Sequence, residues 1–212
     1  MAPDGIDYSD LSSKMQGTRL KDQSTSGQNR ILRLISCIAC LVPCILSLNN
    51  IMKEQKFEFS FEVYNSIDEL NENDRHLLQE ARRIAKNAYA PYSNFYVGAA
   101  ARLSNGKIVT GTNQENASLP VGICAERVLL SSVSSFYPDA SIDAIAVSYQ
   151  SKIVKSDHPI SPCGMCRQAL QEFEGRTKSP IRLLLGGMEG KIYVIKSASS
   201  LLPLAFTSQE LG

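Results

Sequence analysis

The sequence has no excess of charge of either sign and very little histidine. Its 212 residues include 22 Lys and Arg, 21 Asp and Glu, and two histidines. Proteins that bind a phosphate backbone present a basic patch, so this balance argues against a nucleic acid polymer as a partner. Apolar residues make up 43% of the chain, enough for a hydrophobic core. The length suits one domain, or one domain plus an appendage, and we expect a small molecule or another protein as the partner.

The N-terminal region lacks an apolar run long enough to cross a bilayer. The run Leu34 to Leu48, LISCIACLVPCILSL, contains Pro43 and is shorter than the ~20 residues that a spanning helix needs. It also lies too far along the chain for a secretory signal, whose charged lead-in is short. We expect neither a membrane anchor nor secretion, and we expect the protein to be cytoplasmic.

Residues 1–51 differ from the rest of the chain. Residues 1–30 are polar, rich in Ser, Asp, Gly and Gln, and show no helical or strand period, which is typical of disorder. Regular patterning begins after Met52, which could serve as an alternative translation start. We expect residues 1–51 to be an extension that is disordered or absent from the mature protein, and residues 52–212 to form the working domain.

The body of the chain has too few cysteines for a disulfide framework. Three of the six cysteines lie in the N-terminal run, and the others are Cys124, Cys163 and Cys166. Three cysteines cannot pair off among themselves, and the last two form a C-x-x-C motif. Without a secretory signal, this motif indicates metal or redox chemistry in a reducing compartment.

The hydrophobic pattern after residue 52 predicts alternating helices and strands. FEFSFEVY predicts a strand or an extended arm, and the next segment, with a capping box at Ser66 and Glu69, predicts an amphipathic helix that stops before Pro91. A β-hairpin follows, with its turn at Asn105-Gly106. Two helices (ICAERVLLSSVSSFY and GMCRQALQEFE) and three strands (IDAIAVSY, IRLLLGG and KIYVI) complete the order. The order α-β-β-α-β-α-β-β predicts an α/β fold of three layers, α-β-α, with a mixed five-stranded sheet.

The body cysteines fall at the starts of two predicted helices. Cys124 begins one helix, and Cys163 and Cys166 begin the other. A helix N-terminus presents unpaired N–H groups and a partial positive charge, and both favour the thiolate that binds metal. Three thiolates suit Zn²⁺, and three protein ligands leave a fourth position for water, as in catalytic zinc sites.

Charged residues accompany both cysteine motifs. Glu126 lies two residues after Cys124 and is the candidate general acid and base for a water on the metal. Arg127 and Arg167 each follow a motif directly. They could donate to the sulfurs and offset the negative charge that three thiolates leave on the site.

Simpler interpretations of these residues also exist. A structural zinc site normally has a fourth protein ligand, and the only histidines are His76, inside the first predicted helix, and His158, in SDHPISPC. Lone loop histidines are usually solvated, so we do not expect His158 to be a ligand. Glu126 alone would be interpreted as a first-turn helix acid, but its place beside the cysteines favours catalysis.

The motifs CAER and PCGMCRQ resemble those of the zinc deaminases, which combine a His or Cys ligand, a nearby Glu and a P-C-x-x-C. YAPYSNFYVGAA, GTNQENA and LLPLAF narrow the resemblance to cytidine deaminases that act on free nucleosides, the small homotetrameric type with three cysteine ligands. The similarity runs from about residue 74 to Phe206. It implies a zinc-dependent hydrolase of pyrimidine salvage that converts cytidine and deoxycytidine to uridine and deoxyuridine and releases ammonia.

The resemblance also implies roles for individual residues. It makes the three body cysteines the zinc ligands and Glu126 the proton shuttle. The other implied positions are Asn113 and Glu115 for the sugar hydroxyls, Phe95 for the aromatic lining of the nucleoside pocket, and Phe206 for a ring that stacks on a pyrimidine bound in a neighbouring subunit. Backbone N–H groups at the predicted helix start, Ala125 among them, are candidates to hold O2 of the base. Without the resemblance, the two phenylalanines would be assigned to core packing and the NQEN segment to a strand-end turn.

One residue departs from the family pattern. The family usually has tyrosine where this sequence has Leu119, so a hydroxyl near the predicted subunit contact is missing, which affects contact details or the fit of the sugar.

Three alternative functions stay open. The alternatives are a deaminase of another amino-pyrimidine or a nucleoside antibiotic, a polynucleotide deaminase, and a non-catalytic zinc-binding interaction protein. Asn113 and Glu115 argue for a sugar, the neutral charge argues against a polynucleotide, and Glu126 argues for catalysis.

Overall fold

The computed structural model describes residues 53–212, so the expectations for residues 1–51 lie outside the described residues. The strands are β1 (Glu62–Tyr64), β2 (Phe95–Leu103), β3 (Ile108–Thr112), β4 (Ile142–Ser151), β5 (Arg182–Gly186) and β6 (Ile192–Ile195). The helices are α1 (Glu72–Ile84), α2 (Ala125–Phe136) and α3 (Gly164–Thr177). Between residues 53 and 212, no helix has both the length and the apolar character that a membrane span requires.

The six strands form one mixed sheet in the order β1-β6-β5-β4-β2-β3. Strands β4 and β5 are parallel, and every other neighbouring pair is antiparallel. Helix α1 packs its apolar side on one face of the sheet, and α2 and α3 cover the other face. The predicted three-layer α-β-α fold with a mixed sheet is confirmed, but the predicted number of five strands is wrong.

The additional strand is β1, which lies in the stretch that the sequence left open between strand and arm. Only the last three residues of the stretch FEFSFEVY pair with β6, with Glu62 opposite Val194 and Tyr64 opposite Ile192. Upstream of the pairing, the Phe61 ring packs on Tyr193 with 4.8 Å between the ring centroids. The apolar alternation is compatible with either outcome, because the pairing depends on the open edge of β6 and not on the segment itself.

The start of α1 also differs from the prediction. The Ser66 side chain accepts from the backbone N–H of Asp68 and caps only a single 3₁₀ turn, Ile67–Glu69. The α-helix begins at Glu72, where Asn71 is the N-cap and accepts from the backbone N–H of Asp74. Two capping residues five positions apart offered competing starts, and the second one begins the longer helix.

The β2–β3 hairpin turns at Asn105-Gly106, as predicted. Gly106 has a φ of 79°, a left-handed conformation that glycine adopts without steric cost. The Asn105 side chain accepts from the backbone N–H of Lys107 and closes the turn. This hairpin places β3 at the edge of the sheet, directly under α2.

Gly98 in β2 allows α1 to lie against the sheet without a gap. A Cβ atom at this position would stand 2.1 Å from the carbonyl oxygen of Ala81 and 2.7 Å from the backbone nitrogen of Ala85. These are backbone atoms of α1 and of its C-cap, Ala85, so they cannot move away as a flexible side chain would. The close approach therefore fixes the distance between the first and second layers.

We expect Gly98→Ala to destabilise the protein by about 1–3 kcal/mol, the usual cost of overpacking a core. Urea denaturation measures the loss. The matched control is Gly175→Ala in α3, where a Cβ would meet no atom within 4 Å. There the substitution should stabilise by about 0.5–1 kcal/mol, since alanine is the better helix residue. Equal effects at the two positions would contradict this account of Gly98.

Candidate active site

The three body cysteines meet on the sheet face that carries α2 and α3. Cys124 is the N-cap of α2, Cys163 is the N-cap of α3, and Cys166 lies in the first turn of α3. The Cys163 sulfur lies 3.7 Å from that of Cys124 and 3.5 Å from that of Cys166, and all three lie within 4.8 Å of one another. Sulfurs in a tetrahedral site with Zn–S bonds of about 2.3 Å lie about 3.8 Å apart. The cluster therefore has the size that a zinc ion requires.

Gly111 in β3 allows the first turn of α2 to lie directly against the strand. A Cβ atom there would stand 2.6 Å from both the Ala125 carbonyl oxygen and the Leu129 backbone nitrogen. The first turn of α2 thus rests directly on the strand backbone. Helix α3 is the connection between β4 and β5, which are parallel neighbours and therefore need such a crossover. The two constraints bring the two helix N-termini together.

Backbone hydrogen bonds join the NQEN segment to the segments on either side of it. The Gln114 N–H donates to the Ile123 carbonyl, and the Ile123 N–H donates back, at 2.9 and 3.0 Å. On the other side, the Tyr89 N–H donates to the Asn113 carbonyl at 3.1 Å, and the Glu115 N–H donates to the Tyr89 carbonyl at 2.8 Å. The segment with the predicted sugar-binding residues therefore lies beside the chain that enters α2.

Glu126 is a buried acid in the first turn of α2. Only 5% of the residue is exposed. Burial raises the pKa of its carboxyl, and hydrogen bonds from its own backbone N–H and from the Cys166 thiol oppose this shift only in part. A carboxyl that lies against the cysteine cluster and is driven toward the protonated form can both accept and release a proton.

The pKa values of the Cys124 and Cys166 thiols are shifted in opposite directions. Hydrogen bonds from Cys166 and, more weakly, from Cys163 lower the pKa of Cys124 to about 6, although burial opposes the shift. The interaction with Cys124 together with burial raises the pKa of Cys166. The lowered pKa of Cys124 favours its thiolate, the form that binds metal.

The two arginines next to the cysteine motifs act differently from each other. The charge of Arg127 contributes to the lowered pKa of Cys124, behind the thiol hydrogen bonds. Arg167 instead donates to the carbonyls of Pro162 at 2.9 Å and Leu201 at 3.1 Å. These two bonds use only part of the guanidinium, which has five N–H donors, so the expected donation from Arg167 to the sulfurs stays a prediction. Its bonds join the loop before α3 to the C-terminal segment.

Asn113 and Phe95 are held together at the start of β2. The Asn113 side chain accepts from the Val97 backbone N–H at 2.7 Å and donates to the Phe95 carbonyl at 2.9 Å. The Phe95 ring stacks on Tyr149, with 4.8 Å between centroids and 16° between ring planes. Both residues are half-buried. Their orientations are thus set by the protein itself.

Glu115 closes the turn that leads into β2. Its carboxylate accepts from the backbone N–H groups of Tyr92, at 2.9 Å, and Ser93, at 3.3 Å, and from the Ser93 hydroxyl. The Ser93 hydroxyl is the main cause that lowers the pKa of Glu115. The same hydroxyl accepts from the Phe95 N–H at 3.1 Å, so Ser93 connects Glu115 to the aromatic residue.

Phe206 lies in the C-terminal segment and is 59% exposed. Its carbonyl accepts from the Gln168 side chain of α3 at 2.8 Å. The segment before it is held by Glu174, a buried acid in α3 that accepts from the backbone N–H groups of Ala198 and Ser199 at 2.9 and 3.0 Å. Gln168 and Glu174 were not singled out from the sequence, since in a helix they are ordinary polar residues.

His158 lies outside the cysteine cluster, as expected. Its ring is hydrogen-bonded to Asp157 and to the Tyr149 hydroxyl, both at 3.1 Å through Nδ1. Tyr149 itself was missed at the sequence level, because only the pairing of β2 with β4 brings it under Phe95.

Comparison with known proteins agrees with this geometry. Residues 71–179 match the model of the cytidine and deoxycytidylate deaminase zinc-binding region, which is half of the chain. The chain belongs to this deaminase family. It is therefore a zinc-dependent hydrolase, and the matched region contains the three cysteines and Glu126.

Three relatives illustrate the membership. A cytidine deaminase of Halalkalibacterium halodurans is 36% identical over 136 residues, which cover 64% of this chain and 96% of the relative. The crystal structure of the cytidine deaminase from Burkholderia pseudomallei is 38% identical, with a TM-score of 0.54, and covers 65% of this chain and all of that one. A blasticidin-S deaminase of Bacillus cereus is 32% identical over 114 residues, 53% of this chain and 77% of that protein.

We expect the purified protein to hold one zinc per chain, with three sulfurs and one lighter atom around the metal. The expectation follows from the three sulfurs at zinc distances and from the lack of a fourth cysteine, histidine or acid in the cluster among residues 53–212. Elemental analysis gives the stoichiometry, and X-ray absorption gives the ligand set. A metal-free protein, or four sulfurs around the metal, would rule out this arrangement.

Proposed function

We propose that the protein deaminates cytidine and deoxycytidine hydrolytically, giving uridine and deoxyuridine with release of ammonia. The observation that carries the proposal is the buried Glu126 against three converging thiols, next to a segment that presents Asn113 and Glu115. The cytidine deaminases among the relatives support the choice of substrate.

The proposed chemistry relies on Glu126 as a proton carrier. Zinc held by Cys124, Cys163 and Cys166 would supply a water that is acidic enough to ionise near neutral pH. Glu126 accepts a proton from the attacking water and transfers it to N3 of the ring as oxygen bonds to C4. It then carries the second proton to the amino group as the C4–N bond breaks and ammonia leaves. The balance is cytidine and water in, uridine and ammonia out.

Residues around the cluster would hold the nucleoside. The Ala125 N–H at the start of α2 is one of the N–H groups without an intrahelical partner and is a donor for O2 of the base. Asn113 and Glu115 each retain hydrogen-bonding capacity, because an amide and a carboxylate offer about four positions each. They can therefore bind the sugar hydroxyls while they keep their bonds to the protein.

Glu126→Gln should retain the fold and the zinc but lose activity by about 10²–10⁴-fold, the usual contribution of a positioned acid and base. A carboxamide has the same shape but cannot carry protons. The assay measures ammonia and uridine from cytidine, deoxycytidine and free cytosine. Glu72→Gln, the same change at an exposed position in α1, is the matched control and should stay at the wild-type rate. Activity of Glu126→Gln within a few-fold of wild type would refute the proton route.

A nucleoside antibiotic is the second candidate substrate, because of the similarity to the blasticidin-S deaminase. The same ammonia assay with blasticidin S separates the two. Turnover of the antibiotic with none of cytidine would replace the proposed substrate, and no ammonia from either would favour a non-catalytic zinc protein.

We further propose that the protein is a homotetramer in which each site borrows Phe206 from a neighbour. The Phe206 ring is exposed although its backbone is bonded to α3, so the side chain is available to another chain. The other large apolar side chains that are exposed include Leu119, Val121 and Phe136. Leu119, 76% exposed, lies in the 3₁₀ turn just before α2, where the family usually has tyrosine.

Phe206→Ala should weaken nucleoside binding by about 5-fold or more, since stacking on a base is worth roughly 1–3 kcal/mol. Its zinc content should not change. Mixing Phe206→Ala chains with Glu126→Gln chains should restore some activity, because sites with both intact residues then form across chains.

Light scattering and exchange of labelled chains are the controls for this mixture. If the protein is a monomer at working concentration, or if chains exchange without any recovery of activity, Phe206 belongs to its own chain and the shared site is excluded. Phe206→Ala chains alone, taken through the same exchange procedure, give the baseline activity.

A further inference from the structure

Tyr149 is the largest of the fully buried side chains, and it lies under the aromatic residue of the predicted nucleoside pocket. It belongs to β4 and pairs with Val97 of β2, so Phe95, two residues earlier in β2, is its diagonal neighbour on the same face. Aromatic side chains reach each other across such a diagonal. The stacked rings lie on the face of the sheet that carries the zinc ligands.

We propose that Tyr149 is a positioning residue for substrate binding, which fixes the plane of the Phe95 ring against the bound nucleoside. The inference rests on the proposed nucleoside substrate and on the predicted role of Phe95. Tyr149 acts through Phe95, so its contribution belongs to binding and not to the chemical step.

The Tyr149 hydroxyl holds the ring in place from its far end. It donates to the Lys155 carbonyl at 3.1 Å, since a carbonyl can only accept. The hydroxyl oxygen also lies 3.1 Å from Nδ1 and 3.3 Å from Nε2 of the His158 ring. The hydroxyl thus has partners on two sides, which fix the position of the far end of the ring.

The loop that carries these partners is itself held by the β5–β6 turn. The Ser156 carbonyl accepts from the N–H groups of Met188, at 2.7 Å, and Glu189, at 3.3 Å. A Cβ at Gly187 would stand 2.2 Å from that carbonyl oxygen, and a Cβ at Gly190 would stand 2.0 Å from the Asp157 carbonyl oxygen. The loop therefore packs backbone against backbone on the turn and gives Tyr149 a rigid support.

Phe95 is held at its backbone by different residues. Its carbonyl is bonded to Asn113 and its N–H to Ser93, so neither end of the residue can shift. The remaining freedom is the rotation of the half-buried ring about its side-chain bonds. The stack on Tyr149 removes this freedom, because a ring of the same size fills the space beneath it.

The test is a double-mutant cycle on the full chain with cytidine as substrate. Tyr149→Leu should raise KM by about fivefold or more, the lower end of what a lost base stack costs, and should leave kcat and zinc content within about twofold. Tyr149→Phe keeps the stack and loses the hydroxyl, so its KM should fall between the two. In a Phe95→Leu background, Tyr149→Leu should add less than about twofold, because two residues that act through one contact are not additive.

Leu78→Ala is the control for general loss of stability. Leu78 is fully buried in the layer on the opposite face of the sheet and should leave KM unchanged. An unchanged KM in Tyr149→Leu, a fully additive cycle, or an equal rise in Leu78→Ala each overturns the proposal. If Tyr149→Leu does not fold, the cycle is run with Tyr149→Phe under the same criteria. If the wild type does not turn over cytidine, the proposed function is contradicted together with this inference. If the wild type is active and Tyr149→Leu has an unchanged KM, only this inference is contradicted.

Discussion

The contact between the first turn of α2 and the backbone of β3 at Gly111 is the constraint on which the site depends. It determines where the N-terminus of α2 lies relative to the sheet, and Cys124, Ala125 and Glu126 follow from that position. The crossover geometry of the parallel β4–β5 pair then places the N-terminus of α3 opposite it. Two ordinary packing rules, close helix–strand contact and parallel-strand crossover, thus assemble three sulfurs and a carboxyl from two distant parts of the chain.

The residues around the cluster form a preorganised frame. Asn113 and Glu115 hydrogen-bond to the backbone around the start of β2, and Ser93 links Glu115 to Phe95. A ligand that meets such groups does not have to order them first, so little binding energy is lost on side-chain entropy. The hydrogen bond from the Ser93 hydroxyl also lowers the pKa of Glu115, which favours its charged carboxylate.

Residues whose chemistry is local could be found from the sequence, and residues whose role depends on register could not. Cysteines at helix starts and an asparagine-glycine turn carry their meaning in the surrounding few residues, so the zinc cluster and the β2–β3 hairpin were predictable. Tyr149 looks like any strand tyrosine until the register of β2 and β4 places it under Phe95. The bond from Arg167 to the Leu201 carbonyl, 34 residues away, depends in the same way on where the C-terminal segment lies. The sequence left the sixth strand open between strand and arm, because its pairing depends on the edge of β6.

The spacing of the metal ligands has a consequence for the unfolded chain. Cys124 and Cys163 are 39 residues apart, and the segment between them contains all of α2 and β4. A metal that joins them closes this segment into a ring, as a covalent cross-link would, and removes conformations from the unfolded ensemble. The energy of metal binding is then also energy of folding. A substitution that weakens the metal site therefore has two costs, a loss of turnover and a loss of folding stability.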